Sequence, residues 1–324
     1  MIKQNEIDEY NQILSFAYLN VVKNLLRKTN ESKYITSYSP IEFQGIISIN
    51  PLFKGASDSI DLLYHFLDTI HKELNFQTNE NILSKYLANN FGNNIKFQNL
   101  NLSLNNFISE NNSIITNTFY IIEKSKIICN SCKQVQYSFQ MLSYIIFPLE
   151  EIRLYKLNNF GINQTSVFIM EAFEYYRRQC PLFGDNKIHC NYCGMDSNAI
   201  QCSSFYSLPE VLIINLNRGH GNIYNVDIKI QEYLNLSNYA ESNIDNNSNY
   251  KCIGIITHFG PSGNVDILLL FVLLKIKING LNLMLVWLLL VISKKLQLQE
   301  IYMNFFMKGN NHLTSSKFLS HLKL

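Results

Sequence analysis

The chain has 324 residues, a formal net charge of +2 and a charged fraction of 16%, so it can bury a large core in one or two domains. This charge balance predicts no nucleic-acid partner and no acidic tail. Seven cysteines, with no long apolar leader before residue 20, indicate reduced thiols in the cytoplasm or nucleus.

The first part of the chain, residues 1–118, is predicted to be helical. Apolar residues recur at three- and four-residue steps over residues 9–27 and 58–74. Ser39 is placed to cap a helix over 40–49. Residues 76–118 have weak periodicity and predict only a short helix over 82–87.

Two acids lie near the start of the predicted helix over 58–74. Asp58 and Asp61 are three residues apart, so their carboxylates share a face and complement the positive end of the helix. From the residues alone, a functional acidic pair and two solvated first-turn acids are equally good interpretations.

Two cysteine knuckles dominate the middle of the chain, Cys129-x-x-Cys132 and Cys190-x-x-Cys193. The two thiolates of one tight turn can both bind the same ion. A second such turn completes a closed four-sulfur site for one structural zinc ion. Strands are predicted over 119–122, 126–128 and 135–139, on either side of the first knuckle. The alternative is four small, buried apolar residues.

A helix is predicted over 166–178, between the two knuckles. After the second knuckle, two apolar runs, 208–216 and 250–258, predict buried strands. The order of segments resembles the catalytic domain of the ubiquitin-specific proteases, which are papain-like cysteine deubiquitinases. Five blocks over about residues 39–263 carry this resemblance. They are 39–43 with 50–53, 58–74, the paired knuckles, 208–218 and 250–263.

The resemblance implies an α+β, papain-like fold with three parts: thumb helices (1–118), zinc-ribbon fingers with a β palm (119–264), and an apolar tail (265–324). It implies hydrolysis after the C-terminal glycine of ubiquitin, by a cysteine that a histidine activates. The fingers would hold the body of ubiquitin and the thumb–palm cleft its basic tail. Five residues would contact ubiquitin: Asp58, Asp61, His258, Gly260 and Gly263.

Both catalytic blocks of the family are missing from the expected places. A Gly-Asn-Thr-Cys-Tyr block is expected before residue 10, yet the first cysteine in the chain is Cys129. A Gly-His-Tyr or Gly-His-Phe block is expected just after Gly263, where the chain has Asn264-Val265-Asp266. We therefore expect a fold that is incomplete at both ends, no catalytic residue and no hydrolysis. The alternative is a non-catalytic ubiquitin-binding module.

The tail after Asn264 has two interpretations. If residues 265–272 are written in T-rich codons and read two bases over, they give Gly-His-Phe-Ile-Ala-Phe-Cys, the histidine block. The same offset over 275–283 can give an aromatic block of the family. Two matches at one offset favour a displaced reading frame. A tail translated in the wrong frame is not expected to pack in the palm. Alternatively, the apolar residues 267–292 anchor the chain in a membrane, although Lys275 and Lys277 interrupt them.

Overall fold

The computed structural model describes residues 14–24, 39–54, 59–76, 80–87, 94–163, 165–217, 226–241 and 248–259, with five strand segments beyond residue 260. Side chains are described as far as residue 256. Asp58, Gly260 and Gly263 lie outside the described residues.

The described residues of the N-terminal part form helices. Its helices, in chain order, are α1 (residues 14–24), α2 (Ile41–Ile49), α3 (Pro51–Lys54), α4 (Ser59–Glu73), α5 (Ile95–Glu110) and α6 (Ile114–Phe119), with a 3₁₀ turn over Ile82–Tyr86. The predicted cap of α2 is wrong, because Pro40 occupies the N-cap position and no side chain caps the helix. Helix α5 was not predicted.

The fingers sheet has four strands in the order β2-β1-β8-β5. Its strands are β1 (Ile121–Cys129), β2 (Val135–Leu142), β5 (Gln179–Leu182) and β8 (Ala199–Ser207). All of its pairs are antiparallel. A two-stranded hairpin, β6 (Ile188–His189) with β7 (Asp196–Ser197), carries the second knuckle and leads directly into β8.

The palm sheet has seven strands among the described residues, in the order β16-β13-β12-β17-β9-β3, with β11 paired to β12. Its strands are β3 (Ile145–Pro148), β9 (Val211–Asn217), β11 (Tyr233–Asn235), β12 (Asn249–Phe259), β13 (Ile267–Val272), β16 (Val291–Ile292) and β17 (Ile301–Gly309). The predictions of β9 and β12 are confirmed. Outside this sheet, β14 (Leu274–Ile278) pairs with β15 (Leu281–Leu285).

The tail contributes strands to the palm sheet. The β13 backbone pairs with β12, and β17 lies between β12 and β9. These pairs contradict the prediction that the tail does not pack in the palm. An apolar strand next to an unpaired sheet edge gains main-chain hydrogen bonds whatever its origin.

Two further helices cover the palm: α7 (Leu149–Phe160), which follows β3 directly, and α8 (Ile169–Tyr176). A short strand, β4 (Ser166–Phe168), comes directly before α8 in the chain and pairs in parallel with β10 (Asp227–Lys229). The helix predicted over 166–178 is therefore a strand followed by a shorter helix. The main core lies under these elements, where Phe147 contacts Phe173 with ring centroids 5.0 Å apart.

The base of the fingers sheet lies between two apolar clusters. On one face, Ile122, Phe139 and Tyr206 pack against Leu100 and Leu104 of α5. On the other face, the Tyr176 ring of α8 stacks on Phe205, with centroids 4.7 Å apart and planes at 12°. The sheet is thus anchored at its base, and the knuckles are at the opposite end.

Candidate functional site

The structure brings the two cysteine knuckles together at the free end of the fingers sheet. Strand β1 ends at Cys129, which pairs with Ala199 at the start of β8. Because the second knuckle immediately precedes β7 and β8, this register places it beside the first. The sulfur atoms of Cys129, Cys132, Cys190 and Cys193 all lie within 4.8 Å of one another.

Both knuckles have the same backbone turn. The amide N–H of Cys129 donates to Gln134 O (3.1 Å), and that of Lys133 donates to Cys129 O (2.9 Å). The second knuckle repeats this pattern, with Cys190 donating to Met195 O (3.0 Å) and Gly194 to Cys190 O (2.8 Å).

The turn needs a left-handed residue directly after its second cysteine. Gly194 has φ 67° and Lys133 has φ 61°. Glycine adopts this conformation readily, whereas lysine does so at a cost. The first knuckle therefore holds a strained residue so that its turn matches the second.

Direct contacts join the knuckles outside the sulfur cluster. Asn130 N–H donates to Asn198 O (2.9 Å), and the hydroxyls of Ser131 and Ser197 are 2.7 Å apart. Gln136 reaches across from β2, and its side-chain Nε2 lies 3.6 Å from Cys190 Sγ. The two turns therefore form one unit even before any ion is considered.

Polar groups of the turns favour the thiolate form of two of the four cysteines, Cys129 and Cys190. The amide N–H of Cys132, followed by the Ser197 hydroxyl, lowers the pKa of Cys129 to about 6. The amide N–H of Cys193 lowers the pKa of Cys190 in the same way. Both of these thiols are buried, where a thiolate without a cation would be unfavourable.

The arrangement fits a tetrahedral ion held by sulfur. A zinc–sulfur distance of about 2.3 Å places ligand sulfurs ~3.8 Å apart in a tetrahedron, and Cys132 Sγ lies 3.6 Å from Cys190 Sγ. Cys132 and Cys193 are only half-buried, which simple apolar packing does not explain. His189 is turned toward Asp196, with its Nδ1 3.0 Å from Asp196 Oδ1.

The remaining predicted site residues are placed on the thumb and the palm. Asp61 lies in the first turn of α4. His258 lies on β12, where its backbone pairs with Leu268 of β13 and Tyr302 of β17.

The other three cysteines have no catalytic partner in the contacts that the structure gives them. Cys180 Sγ is 3.9 Å from the main-chain oxygen of Arg178, and Cys252 Sγ is 3.8 Å from that of Gly254. Cys202 lies on β8 opposite Lys126 and Gln179. They are consistent with small packing residues.

Helix α1 contains an Ala17-Tyr18 pair, which the sequence patterns did not single out. The nucleophile block was expected before residue 10, but the first described helix spans residues 14–24 and contains Ala17-Tyr18. Ala17 is buried in a cluster with Phe43, Ile70 and Ile213, between the thumb helices and β9. The family's Gly-Asn-Thr-Cys-Tyr block likewise ends in a tyrosine.

Thumb helices, a fingers sheet ending in a four-cysteine cluster, and a β palm define the ubiquitin-specific protease fold. The ubiquitin carboxyl-terminal hydrolase family model matches residues 1–265 of the chain, which therefore belongs to this family.

The solved structures similar to this chain include two of the same complex. One is the SAGA DUB module of Ubp8, Sgf11, Sus1 and Sgf73 bound to monoubiquitin, with 17% identity, a TM-score of 0.51, and coverage of 84% of this chain and 54% of that chain. The other is the Ubp8-Sgf11-Sgf73-Sus1 module, with 17% identity, a TM-score of 0.48, and coverage of 84% and 52%. The chain thus spans about half the length of these relatives.

The possibility that the tail anchors the chain in a membrane was compared with the helices of the structure. None of the helices formed by the described residues has both the length and the apolar character needed to cross a bilayer.

Proposed function

We propose that this chain is a ubiquitin-specific protease-type domain that binds ubiquitin and does not cleave it. The observation that carries the proposal is the assembled four-cysteine cluster on a fingers sheet, in a chain whose first cysteine belongs to that cluster. The binding framework of the family is present, whereas its nucleophile is not. The reduced thiols favour the cytoplasm or nucleus as its location.

One zinc ion held by Cys129, Cys132, Cys190 and Cys193 is part of this proposal. A closed four-sulfur site supplies structural cross-linking and leaves no position for a reactive water. The ion would join the β1–β2 turn to the β6–β7 turn. Cys132 of the first turn and Cys190 of the second are 58 residues apart in the sequence. The fingers would then present a fixed surface to the body of ubiquitin.

The acids of the thumb would hold the basic tail of ubiquitin. Asp61 lies near the positive end of α4, and a carboxylate there forms strong charge-assisted hydrogen bonds with arginine. Asp58, His258, Gly260 and Gly263 complete the proposed contact set, on the resemblance alone.

Asp61→Asn is expected to weaken ubiquitin binding about two- to fivefold, which corresponds to losing one partly exposed charge pair. The measurement is titration calorimetry with ubiquitin. Glu110→Gln, which changes an exposed carboxylate at the end of α5, serves as the control and should bind like the unmodified chain. Equal affinities for all three proteins would contradict the role of Asp61.

We infer that Ala17 occupies the position of the missing nucleophile. The family block opens the first thumb helix and ends in Cys-Tyr, and Ala17-Tyr18 occurs in the first described helix. A methyl group cannot attack a carbonyl, so this substitution alone abolishes covalent catalysis.

We also propose that the reading frame is displaced near Asn264. The family match ends at residue 265, next to the position at which the alternative frame yields Gly-His-Phe. Sequencing the transcript across this position tests the proposal. A transcript that lacks the histidine block in every frame would refute it.

Covalent capture by a ubiquitin probe with a C-terminal vinyl sulfone tests the loss of hydrolysis. The chain as written should not be captured, since the probe requires a reactive thiolate. Labelling at any residue would overturn the proposal.

A gain-of-function pair tests the position of Ala17. In a chain translated in the displaced frame after Asn264, Ala17→Cys should restore capture, because thiol and histidine would then both be present. Ser15→Cys in the same chain is the matched control, because it adds a thiol to the same helix. Capture of both variants, or of neither, would refute the assignment of Ala17.

A further inference from the structure

Glu241 lies where three parts of the molecule meet. One of its carboxylate oxygens, Oε2, accepts from Lys96 Nζ of α5 at 2.9 Å, and the other pairs with Lys124 of β1. Its amide N–H donates to Phe205 O of β8 at 3.0 Å. One residue of the palm segment 226–241 therefore contacts the thumb and the fingers together.

Neighbouring contacts hold the same segment against α8. Arg177 at the end of α8 donates from its guanidinium to Asn238 O at 2.7 Å and lies over the Tyr239 ring at 5.3 Å. The Tyr239 hydroxyl donates to Glu174 at 2.5 Å. The segment preceding Glu241 is thus fixed to the palm, and Glu241 connects it to the base of the fingers.

Lys124 is the member of this junction that most needs a partner. Its side chain is 9% exposed, compared with 25% for Lys96 and 33% for Glu241. Burial first, then repulsion from Lys96 and Lys126, lowers the pKa of Lys124 to about 8. In the salt bridges between described residues, Glu241 is its acidic partner. A buried ammonium that loses its partner must be solvated or neutralised.

The geometry points to Glu241 as the positioning residue that sets the fingers against the thumb and palm. By neutralising Lys124 under α5, it holds the base of β1 and β8 in one orientation. This orientation decides where the cysteine cluster lies relative to α4. The structural role of Glu241 does not depend on the proposed function. Its consequence does rest on the proposed function: a fixed orientation of the fingers would match the width of the cleft to ubiquitin.

Hydrogen exchange of the full chain tests the junction without ubiquitin. Glu241→Gln should accelerate exchange of the peptide covering 236–241 about tenfold, because the Glu241 amide is protected only while the junction is closed. Glu232→Gln is the control, since Glu232 lies on the same segment and pairs with Lys251 (3.3 Å) while 61% exposed. It should leave this exchange unchanged.

Rescue distinguishes positioning from general destabilisation. Adding Lys124→Met to Glu241→Gln should restore slow exchange, because the buried charge is then removed. Unchanged exchange in Glu241→Gln would overturn the inference. A double variant that exchanges as fast as the single one would overturn it equally.

Ubiquitin affinity separates this inference from the proposed function. If the unmodified chain binds ubiquitin, Glu241→Gln should bind it about fivefold more weakly while zinc content stays unchanged. An equal affinity would overturn the positioning role. If the unmodified chain binds no ubiquitin, the proposed function fails, and the exchange rates of the four proteins still decide whether Glu241 closes the junction.

Discussion

At the scale of single residues, the chemistry of the cysteine cluster depends on backbone geometry as well as on side-chain identity. The N–H groups that lower the pKa of Cys129 and Cys190 belong to the turns themselves. Both turns need a left-handed residue, which is Lys133 in one and Gly194 in the other. A sulfur ligand is therefore specified together with the turn that carries it.

Cys129→Ser is expected to lower bound zinc from about one ion per chain to nearly none, because serine is a poor zinc ligand. Elemental analysis of the purified chain measures this. Cys180→Ser removes a half-buried thiol from β5, outside the cluster, and should keep its zinc. Equal zinc in both variants would refute the four-sulfur site.

His71 is a buried joint between α4 and the start of α6. Its Nε2 lies 3.0 Å from Asn111 Oδ1, and the Asn111 amide nitrogen donates elsewhere, to Phe107 O. Nε2 must therefore carry the proton, and Nδ1 accepts from the Ser113 hydroxyl at 2.7 Å. Ser113 in turn caps α6 by accepting from Thr116 N–H.

This joint predicts a loss of stability in mild acid. Burial lowers the pKa of His71, although the Asn111 hydrogen bond and Asp68 oppose the effect. Because the unfolded chain then binds the proton more tightly, the free energy of unfolding should fall as pH drops below about 6.5. Urea unfolding between about pH 7.5 and pH 5 measures it. His71→Gln should show a smaller fall, and an identical fall would contradict this prediction.

At the scale of elements, the alternation of faces along a strand decides which of its residues enter the core. On β3, Phe147 is fully buried and packs on Phe173, whereas the next residue toward the N-terminus, Ile146, is 46% exposed. Successive residues of a strand face opposite sides. Neighbouring apolar residues therefore contribute very differently to stability.

Phe147→Ala is expected to lower the free energy of unfolding by about 3–5 kcal/mol, because it leaves a cavity in the main core. Ile146→Ala is its matched control and should change it by less than about 0.5 kcal/mol. Urea denaturation of both variants measures the difference. Comparable losses would mean that β3 does not present these faces.

At the scale of the whole molecule, the fingers are joined to the rest at their base and to the proposed ion at their tip. The base is held by α5, α8 and Glu241. The β6–β7 hairpin at the tip has only two residues per strand, too few to be stable by itself. Loss of the metal should therefore destabilise the tip of the fingers and leave their base in place.

Removing the metal with a strong chelator is expected to accelerate hydrogen exchange in peptides covering 129–134 and 188–199, while α4 remains protected. Ubiquitin affinity should fall with it, since the fingers lose a fixed surface. Hydrogen exchange before and after chelation measures both regions. A uniform loss of protection would show that the metal stabilises the whole fold.

Local sequence signals predicted several elements of this fold. The apolar spacing in α4 and the β-branched apolar runs of β9 and β12 are signals that predict the type of each element. The repeated Cys-x-x-Cys spacing likewise indicated both knuckles and the pairing between them. The family resemblance followed from the order of these segments, and the family match confirms it.

Only the tertiary structure decided the rest. Helix α5 is rich in asparagine, a weak helix former, and it is a helix because Leu100 and Leu104 pack on the fingers sheet. The sequence cannot show that Lys96, Lys124 and Glu241 meet, because they are up to 145 residues apart. Contacts of this kind depend on how elements far apart in the sequence pack together, which the pattern within one segment does not encode.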